Sequence, residues 1–159
     1  MFIQKAIFII MRKEIKVIGV ACDHAGFSMK ETIKKYLTQH SIEVIDFGTH
    51  SKESMDYPDV AHPLANAIED NNFQLGIAMC GSGNGISMTL NKHKNIRAAL
   101  CWNKELAQLA RQHNNANILS LPARFIDEQK AIEIVEAFLS AEFEGGRHLR
   151  RVQKIACKK

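Results

Sequence analysis

The sequence lacks a hydrophobic run long enough to cross a membrane. Its most apolar stretch near the amino terminus, residues 6–11, is far shorter than the roughly 20 residues that a membrane-spanning helix needs. Arg12 and Lys13 follow this stretch without a small-residue cleavage pattern, so a secretory signal peptide is not indicated. We therefore expect residues 1–13 to be an amino-terminal extension, with Met11 as an alternative start, and we expect a cytoplasmic protein with no membrane partner.

Paired cysteines and an excess of charge are also missing. The four cysteines form no CxxC pair and have no metal-ligand spacing, which is typical of thiols in a reducing compartment, so neither disulfides nor a bound metal is expected. Lys and Arg number 21 against 17 Asp and Glu, a net charge of +4. The arginines near the carboxyl terminus have no interleaved aromatic residues, so no nucleic-acid partner is expected.

What the sequence does contain is an alternation of short β-branched runs with amphipathic stretches, which is typical of βαβ units and a parallel sheet. No linker or repeat divides residues 14–159, so we expect one α/β domain. The predicted strands are 15–21, 42–47, 74–79, 96–101 and 116–121. The predicted helices are 28–40, 59–70, 85–92, 103–113 and 127–141. A last basic helix should follow Gly145 and Gly146 and dock on a partner chain.

The segment CGSGNG, residues 80–85, follows the third predicted strand. Its glycines, Gly81, Gly83 and Gly85, let backbone N–H groups turn inward, and a helix follows, so the segment could hold an anion. The spacing matches neither GxGxxG nor GxxxxGK[ST] nor GxSxG, which argues against dinucleotide, ATP and serine-hydrolase chemistry. Cys80 beside these amides could act as a base or nucleophile. A simple strand-to-helix turn with a buried thiol is the alternative, and Cys22, Cys101 and Cys157 are expected to be thiols of that buried kind.

Polar residues also follow two other predicted strands, and one polar residue ends a predicted helix. Asp23 and His24 follow the first strand, Arg124 follows the fifth, and His113 closes the helix over 103–113. Because ligands gather at the carboxyl ends of parallel strands, we expect all of these segments to converge with Cys80 in the fold. A plain loop or helix cap is the alternative for the Asp23–His24 pair, and a helix-dipole contact is the alternative for His113.

Two arginines of the last helix are spaced for one ligand. Arg147 and Arg151 lie four residues apart, so both guanidinium groups fall on one helical face and could grip a single phosphate. A solvated basic tail is the alternative.

Together these motifs resemble the ribose-5-phosphate isomerase B family (RpiB/LacA/LacB) of sugar-phosphate isomerases. The matching segments run in the family's order from about Ile15 to Val152: GVACDHAGF, VIDFGTHS, DYPDVA, CGSGNGIS, NIRAALCWN, ARQHNNANIL and FEGGRHLRRV. The resemblance implies a Rossmann-like three-layer α/β/α sandwich with a five-stranded parallel sheet. It also implies a homodimer or tetramer with active sites shared between subunits, and no cofactor or metal.

The resemblance further implies an aldose–ketose isomerase that interconverts ribose 5-phosphate and ribulose 5-phosphate through an enediolate. The catalytic residues it implies are Cys80 as the base, Ser82 in an anion hole, and Asp23 and His113 in opening the furanose ring. The substrate-binding residues it implies are His24, Tyr57, Gly81, Gly83, Asn84, Gly85, Asn114, Arg124, Arg147 and Arg151. A six-carbon sugar phosphate, or a non-catalytic sugar-phosphate-binding subunit, is the alternative.

Two positions bear on how this resemblance applies. One subtype of the family takes its base from a glutamate just after the glycine loop, where this chain has Ile86, so the chain resembles the cysteine type. Pro122 stands where glycine is common, and it could alter the approach to Arg124.

Overall fold

The computed structural model describes residues 15–157. The predicted extension, residues 1–13, lies outside the described residues, so that expectation stays untested. Within residues 15–157 every helix is too short or too polar to traverse a lipid bilayer.

Within the described part of the chain, five parallel strands form one sheet, as the alternating pattern predicts. They are β1 (Val17–Cys22), β2 (Glu43–Asp46), β3 (Leu75–Cys80), β4 (Ala98–Leu100) and β5 (Ile118–Pro122). Their order across the sheet is β2-β1-β3-β5-β4. The central strands β3 and β5 are buried along their whole length, and Cys80 is paired in register with Pro122.

Residues 15–157 contain six α-helices, of which the first five cover the two faces of the sheet. They are α1 (Phe27–Gln39), α2 (Pro58–Glu69), α3 (Asn84–Leu90), α4 (Lys104–Asn114), α5 (Glu128–Ser140) and α6 (Gly146–Val152). Apolar side chains of α1, α4 and α5 pack on one face, and those of α2 and α3 pack on the other. The predicted three-layer α/β/α sandwich is therefore confirmed.

Side-chain caps fix where two of these helices begin. The Asn103 carboxamide oxygen accepts the Leu106 N–H at the start of α4, and the Asp127 carboxylate accepts the Lys130 N–H at the start of α5. Such caps satisfy backbone donors that the first turn leaves unpaired. Helix α4 follows β4 and α5 follows β5, so both helices begin at the carboxyl edge of the sheet and run back toward the amino edge.

A buried lysine ties the end of β2 to the end of β1. Lys30 of α1 is fully buried, and its Nζ donates to Asp46 Oδ1 and to the Thr49 carbonyl oxygen, both at 2.6 Å. The segment after β2 is held against Cys22, because Thr49 N–H donates to the Cys22 carbonyl and Cys22 N–H donates to the Gly48 carbonyl, each at 2.7 Å. This Lys30 clasp therefore fixes the strand end from which the Asp23–His24 pair projects.

Candidate active site

Cys80 is the last residue of β3 and lies at the carboxyl edge of the sheet. It is 4% exposed and packs on the α2–α3 face. Its carbonyl accepts the Ala123 N–H, and the Gly81 carbonyl accepts the Arg124 N–H, both at 3.0 Å. The sheet ladder between β3 and β5 thus continues into the loop and holds the thiol at a fixed place.

Two glycines of the loop, Gly83 and Gly85, lie so close to neighbouring side chains that any other residue there would clash. Gly83 has φ +76°, and a Cβ there would lie 2.4 Å from Leu100 Cδ1. A Cβ on Gly85 would lie 2.5 Å from Tyr57 Cζ, so the Tyr57 ring packs directly on the loop. Glycine is required at both positions, at Gly83 also because positive φ strains other residues.

The loop presents donors toward solvent. Ser82 Oγ accepts the Asn84 N–H at 3.2 Å, while the N–H groups of Ser82 and Gly83 have no acceptor within residues 15–157. Ser82 and Asn84 are exposed. Unpartnered amides beside a thiol are a suitable environment for a transient oxyanion.

Asp23 and His24 lie beside this loop, because the Asp23 N–H donates to the Met79 carbonyl of β3. Asp23 is 7% exposed, and its Oδ1 accepts the N–H groups of Ala25 and Gly26 at 2.9 and 3.3 Å. The carboxylate thus caps the short 3₁₀ turn that follows, which is the capping alternative named above. Capping also fixes the carboxylate in place, and His24 Nδ1 is similarly held by the Met55 N–H at 3.3 Å.

Arg124 reaches the loop despite the proline before it. A Cβ built on Gly81 would lie 3.3 Å from Arg124 Nη1, so the guanidinium lies against the loop backbone. Pro122 ends β5 and its carbonyl accepts the Phe125 N–H at 2.9 Å, which turns the chain so that Arg124 points back to the site. Pro122 therefore does not keep Arg124 away.

His113 lies at the opposite edge of the sheet, so the expectation that every segment converges within one fold is wrong. Helix α4 begins after β4 at the carboxyl edge and ends before β5 at the amino edge. Its last turn is joined there to the start of β4, because Arg97 Nε donates to the Asn115 carbonyl at 2.9 Å. A strand of five residues spans about 17 Å, so one chain does not bring His113 to Cys80.

Three other predicted site residues also lie at the amino edge of the sheet with His113. They are Asn114, Arg147 and Arg151. Asn114 is the last residue of α4, and the segment leading into α6 is tied to α4 by the Glu144 N–H, which donates to the Gln112 carbonyl at 3.0 Å. The pattern of α4 did not predict this placement, because a helix that returns to the amino edge has the same pattern as one that ends at the site. The predicted residues therefore form two half-sites. The carboxyl-edge half-site consists of Asp23, His24, Tyr57, Cys80 to Gly85 and Arg124. The amino-edge half-site consists of His113, Asn114, Arg147 and Arg151.

Two residues that the motifs did not single out accompany His113. The His148 ring stacks on the His113 ring, with centroids 4.2 Å apart and planes 6° apart. Glu144 Oε2 lies 3.8 Å from His113 Nε2 and 3.5 Å from His148 Nε2. Desolvation and the neighbouring charges of His113 and Arg147 lower the pKa of His148. The only signal in the sequence was the position of His148 between the two arginines.

These three side chains could hold a metal ion, since their ligand atoms lie within 4.8 Å of one another. Two parallel stacked imidazoles, however, direct their nitrogen lone pairs alongside each other rather than toward one point. One ring would have to rotate before both could bind the same ion, so the arrangement is not a preformed metal centre.

The other thiols have different surroundings. Burial is the main cause that raises the pKa of Cys22, and of Cys101, to about 12, so both remain protonated near neutral pH. The expectation that they are buried structural thiols is confirmed. It is wrong for Cys157, which follows α6 where no core covers the chain and is exposed.

An open parallel sheet with a thiol, a glycine loop and cationic side chains at its carboxyl edge defines an α/β protein built for a small anionic ligand. Comparison with known proteins narrows this class. Residues 18–155 match the model of a family described as Ribose/Galactose Isomerase, and the chain belongs to that family.

Individual relatives agree with this assignment. The chain is 44% identical to ribose-5-phosphate isomerase B of Escherichia coli over 141 residues, 89% of this chain and 95% of that protein. The crystal structure of a ribose 5-phosphate isomerase from Thermotoga maritima superposes with a TM-score of 0.87 at 50% identity, covering 89% of this chain and 97% of that one. The structure of ribose-5-phosphate isomerase B from Mycoplasma genitalium, solved with bound ribulose 5-phosphate, superposes with a TM-score of 0.84 at 43% identity. The match covers 87% of this chain and 93% of that one.

Proposed function

We propose that the protein is an aldose–ketose isomerase that interconverts ribose 5-phosphate and ribulose 5-phosphate. The observation that carries this proposal is the placement of Cys80 at the end of β3, beside the unpartnered amides of Ser82 and Gly83. A base next to donors for a developing oxyanion is what proton abstraction α to a carbonyl requires. Membership in the ribose/galactose isomerase family supports the same reaction.

The reaction begins with opening of the furanose ring, in which the C1 hydroxyl loses its proton and the ring oxygen gains one. We assign these proton transfers to Asp23 and His113. The Cys80 thiolate then takes the proton from C2 of the aldehyde, and the electron pair of that bond forms the C1–C2 double bond of an enediolate. The proton of the C2 hydroxyl moves to O1, which leaves O2 as the carbonyl oxygen of the product, and the same thiol returns its proton to C1. The ketose therefore forms without any net change in protons or electrons.

The glycine loop has a separate part in this scheme. Negative charge develops on the O1 oxygen as the proton leaves C2, and the amides of Ser82 and Gly83 are positioned to donate to it. Because these donors are fixed by the close packing of Gly83 against Leu100, they need no reorganisation during the reaction. Tyr57, Asn84 and Gly85 would line the sugar, and Arg124 would add positive charge over Gly81.

We further infer that two copies of this chain build each active site. Cys80 and Asp23 lie at one edge of the sheet and His113, Arg147 and Arg151 at the other, so a single chain cannot assemble the reaction described above. A homodimer in which the amino edge of one copy faces the carboxyl edge of its partner would complete the site. His24 of one subunit and the two arginines of the other would then hold the phosphate.

The three-residue edge strand β4 and the exposed Met88, Trp102 and Phe125 support contact with a second copy, because large exposed apolar side chains mark interaction surfaces. A tetramer would pair two such dimers.

A cytoplasmic location fits this function. The described cysteines are all free, and free thiols persist in a reducing compartment.

Substitution of the thiol tests the proposed base. We expect Cys80→Ser to abolish exchange of the substrate C2 proton with deuterated water, because a hydroxyl does not ionise near neutral pH. Binding of ribose 5-phosphate should persist, since the phosphate groups are untouched. Cys157→Ser is the matched control and should exchange at the wild-type rate. A Cys80→Ser protein that exchanges as fast as the control would rule out Cys80 as the base.

A six-carbon substrate is the second candidate, because the family description covers galactose as well as ribose. Turnover of ribose 5-phosphate and of allose and galactose 6-phosphates by the purified chain would separate the two. We expect the pentose to be preferred, and a higher kcat/KM for either hexose phosphate would reverse the assignment. Absence of turnover for all three would instead favour a non-catalytic sugar-phosphate-binding subunit.

A further inference from the structure

A polar cavity of about 360 Å³ lies at the amino edge of the sheet, within the size range of small-molecule sites. We call it the amino-edge cavity. Its polar walls come from α2, the start of β3, the start of β4 and the end of α4, and include Asn71, Gln74, Asn95, Arg97, Arg111 and Asn117. None of these residues belongs to the site proposed above.

Arg111 at the end of α4 lines this cavity with a guanidinium group that is only partly paired. Its Nη1 donates to the Ala116 carbonyl at 2.7 Å and to Asn115 Oδ1 at 3.2 Å. Its Nε is buried and has no hydrogen-bond partner among the residues that the structure describes. A buried donor of a charged group is rarely left unpaired in native structures.

Arg97 adds a second cation next to the first. Its Nε donates to the Asn115 carbonyl at 2.9 Å, so both guanidinium groups meet at the same residue. The pKa of Arg97 is lowered by burial, and the pKa of Arg111 is lowered by burial and by the charge of Arg97. Two like charges are thus held together at a partly desolvated position.

No carboxylate within residues 15–157 lies within 4.0 Å of either guanidinium. Glu69 lines the cavity, but its oxygens are taken by the Asn95 N–H at 2.9 Å and by His93 Nδ1 at 3.0 Å. Among residues 15–157 the two arginines therefore have no anionic partner, and the Arg111 guanidinium lies over the Phe138 ring, 5.7 Å from its centroid.

We propose that the amino-edge cavity binds a phosphate-type oxyanion through Arg97 and Arg111. The planar forks of two guanidinium groups match phosphate oxygens, and their two positive charges would attract the anion. The exposed Gln74, which lines the cavity with both arginines, can donate its amide to the same anion. This site is separate from the substrate phosphate site that we assign to Arg147 and Arg151, and its existence does not depend on the isomerase reaction.

Phosphate titration followed by amide NMR of the whole protein tests the proposal. Inorganic phosphate, at ionic strength matched with chloride, should shift the amides of residues 95–97 and 115–117 in a saturable way. Glycerol 3-phosphate as a second probe separates a site for free phosphate from one for phosphorylated metabolites. Shifts confined to residues 80–85 and the α6 arginines would report only the substrate site, and they would overturn the proposal.

Adding a negative charge to the cavity wall provides the matched variants. Gln74→Glu places a carboxylate beside the arginines and should weaken phosphate binding at the amino edge at least tenfold, with Asn71→Asp as an isosteric second variant. Gln39→Glu adds the same charge at the end of α1, outside the cavity, and should bind phosphate like the wild type. Isomerase turnover without added phosphate should be unchanged in Gln74→Glu. Equal phosphate affinity in Gln74→Glu and Gln39→Glu would refute the site.

Discussion

At the scale of single residues, the four cysteines show how position decides what one functional group can do. Cys80 ends a strand beside loop amides, and Cys22 and Cys101 are enclosed by the core on the other face of the sheet. Cys157 lies on the surface after α6. Cys80 is therefore a candidate base, Cys22 and Cys101 fill apolar space in the core, and Cys157 is exposed to solvent.

Alkylation should separate these thiols in the order of their surroundings. At pH 8 iodoacetamide should modify Cys157 first, because it is exposed. Cys22 and Cys101 should stay unmodified in the folded protein, because burial raises the pKa of each to about 12 and leaves almost no thiolate. Peptide mass spectrometry after timed quenching measures each site.

Ribose 5-phosphate should slow the modification of Cys80 and leave that of Cys157 unchanged. Rapid labelling of Cys22 or Cys101 without denaturant would contradict the burial described here.

At the scale of elements, the Lys30 clasp joins α1 to the ends of two strands. Burial alone would raise the pKa of Asp46, but hydrogen bonds from Lys30 and Lys34 and from the Gly48 N–H outweigh it and lower the pKa. The donors from the two lysines lie 2.6 Å from the two carboxylate oxygens. Asp46 therefore binds its proton less readily when the chain is folded than when it is unfolded.

The clasp should make stability fall in acid. Because the folded pKa of Asp46 is depressed, its contribution is fully present above the unfolded value, about 4, and is lost as the pH falls through the folded value. Urea unfolding of the wild type and of Asp46→Asn should differ most at neutral pH, and the difference should shrink below about pH 4.

Asp59→Asn, at an exposed carboxylate in the first turn of α2, is the control and should show a much smaller difference at neutral pH. A gap between wild type and Asp46→Asn that stays constant from pH 7 to pH 3 would mean that the clasp does not act through the charge of Asp46.

The elements were largely predictable from sequence, because β-branched runs and amphipathic faces are local signals. The five strands and the face of α1 built on Met29, Ile33 and Leu37 follow from that periodicity. Lys30 could not be predicted as buried, because its partners Asp46 and Thr49 are distant in sequence and a helical lysine is usually solvated.

The carboxyl-edge half of the candidate site was predictable for a related reason. Asp23, Cys80 and Arg124 directly follow strands, and parallel strands end at one edge. The placement of His113 was not predictable by that rule, because it ends a helix, and a helix between parallel strands returns to the opposite edge.

At the scale of the whole molecule, the two half-sites predict complementation between inactive variants. Cys80→Ala and His113→Ala proteins should each be inactive, but a dimer with one subunit of each keeps one intact site. Random exchange of equal amounts makes half of the dimers mixed, each with one working site of two, so about a quarter of the wild-type activity should return. Isomerase rate after joint refolding measures this recovery.

The matched control mixes Cys80→Ala with Asp23→Asn, whose altered residues lie in the same half-site. No subunit arrangement restores a complete site in that pair, so activity should stay at the level of the separate variants. Equal recovery in both mixtures would argue against shared sites.

Because the two half-sites lie at opposite ends of the strands, the proposed dimer also makes the rate of catalysis depend on the monomer–dimer equilibrium. In the shared site that we propose, a chain whose Cys80 and His113 are separated by a strand length would work only while it is associated, so catalytic output would depend on how much protein is present. On serial dilution the specific activity should hold steady and then decline once the concentration falls below the dissociation constant of the dimer. In such a dimer the length of β3 would couple the rate of the reaction to the abundance of the protein that performs it.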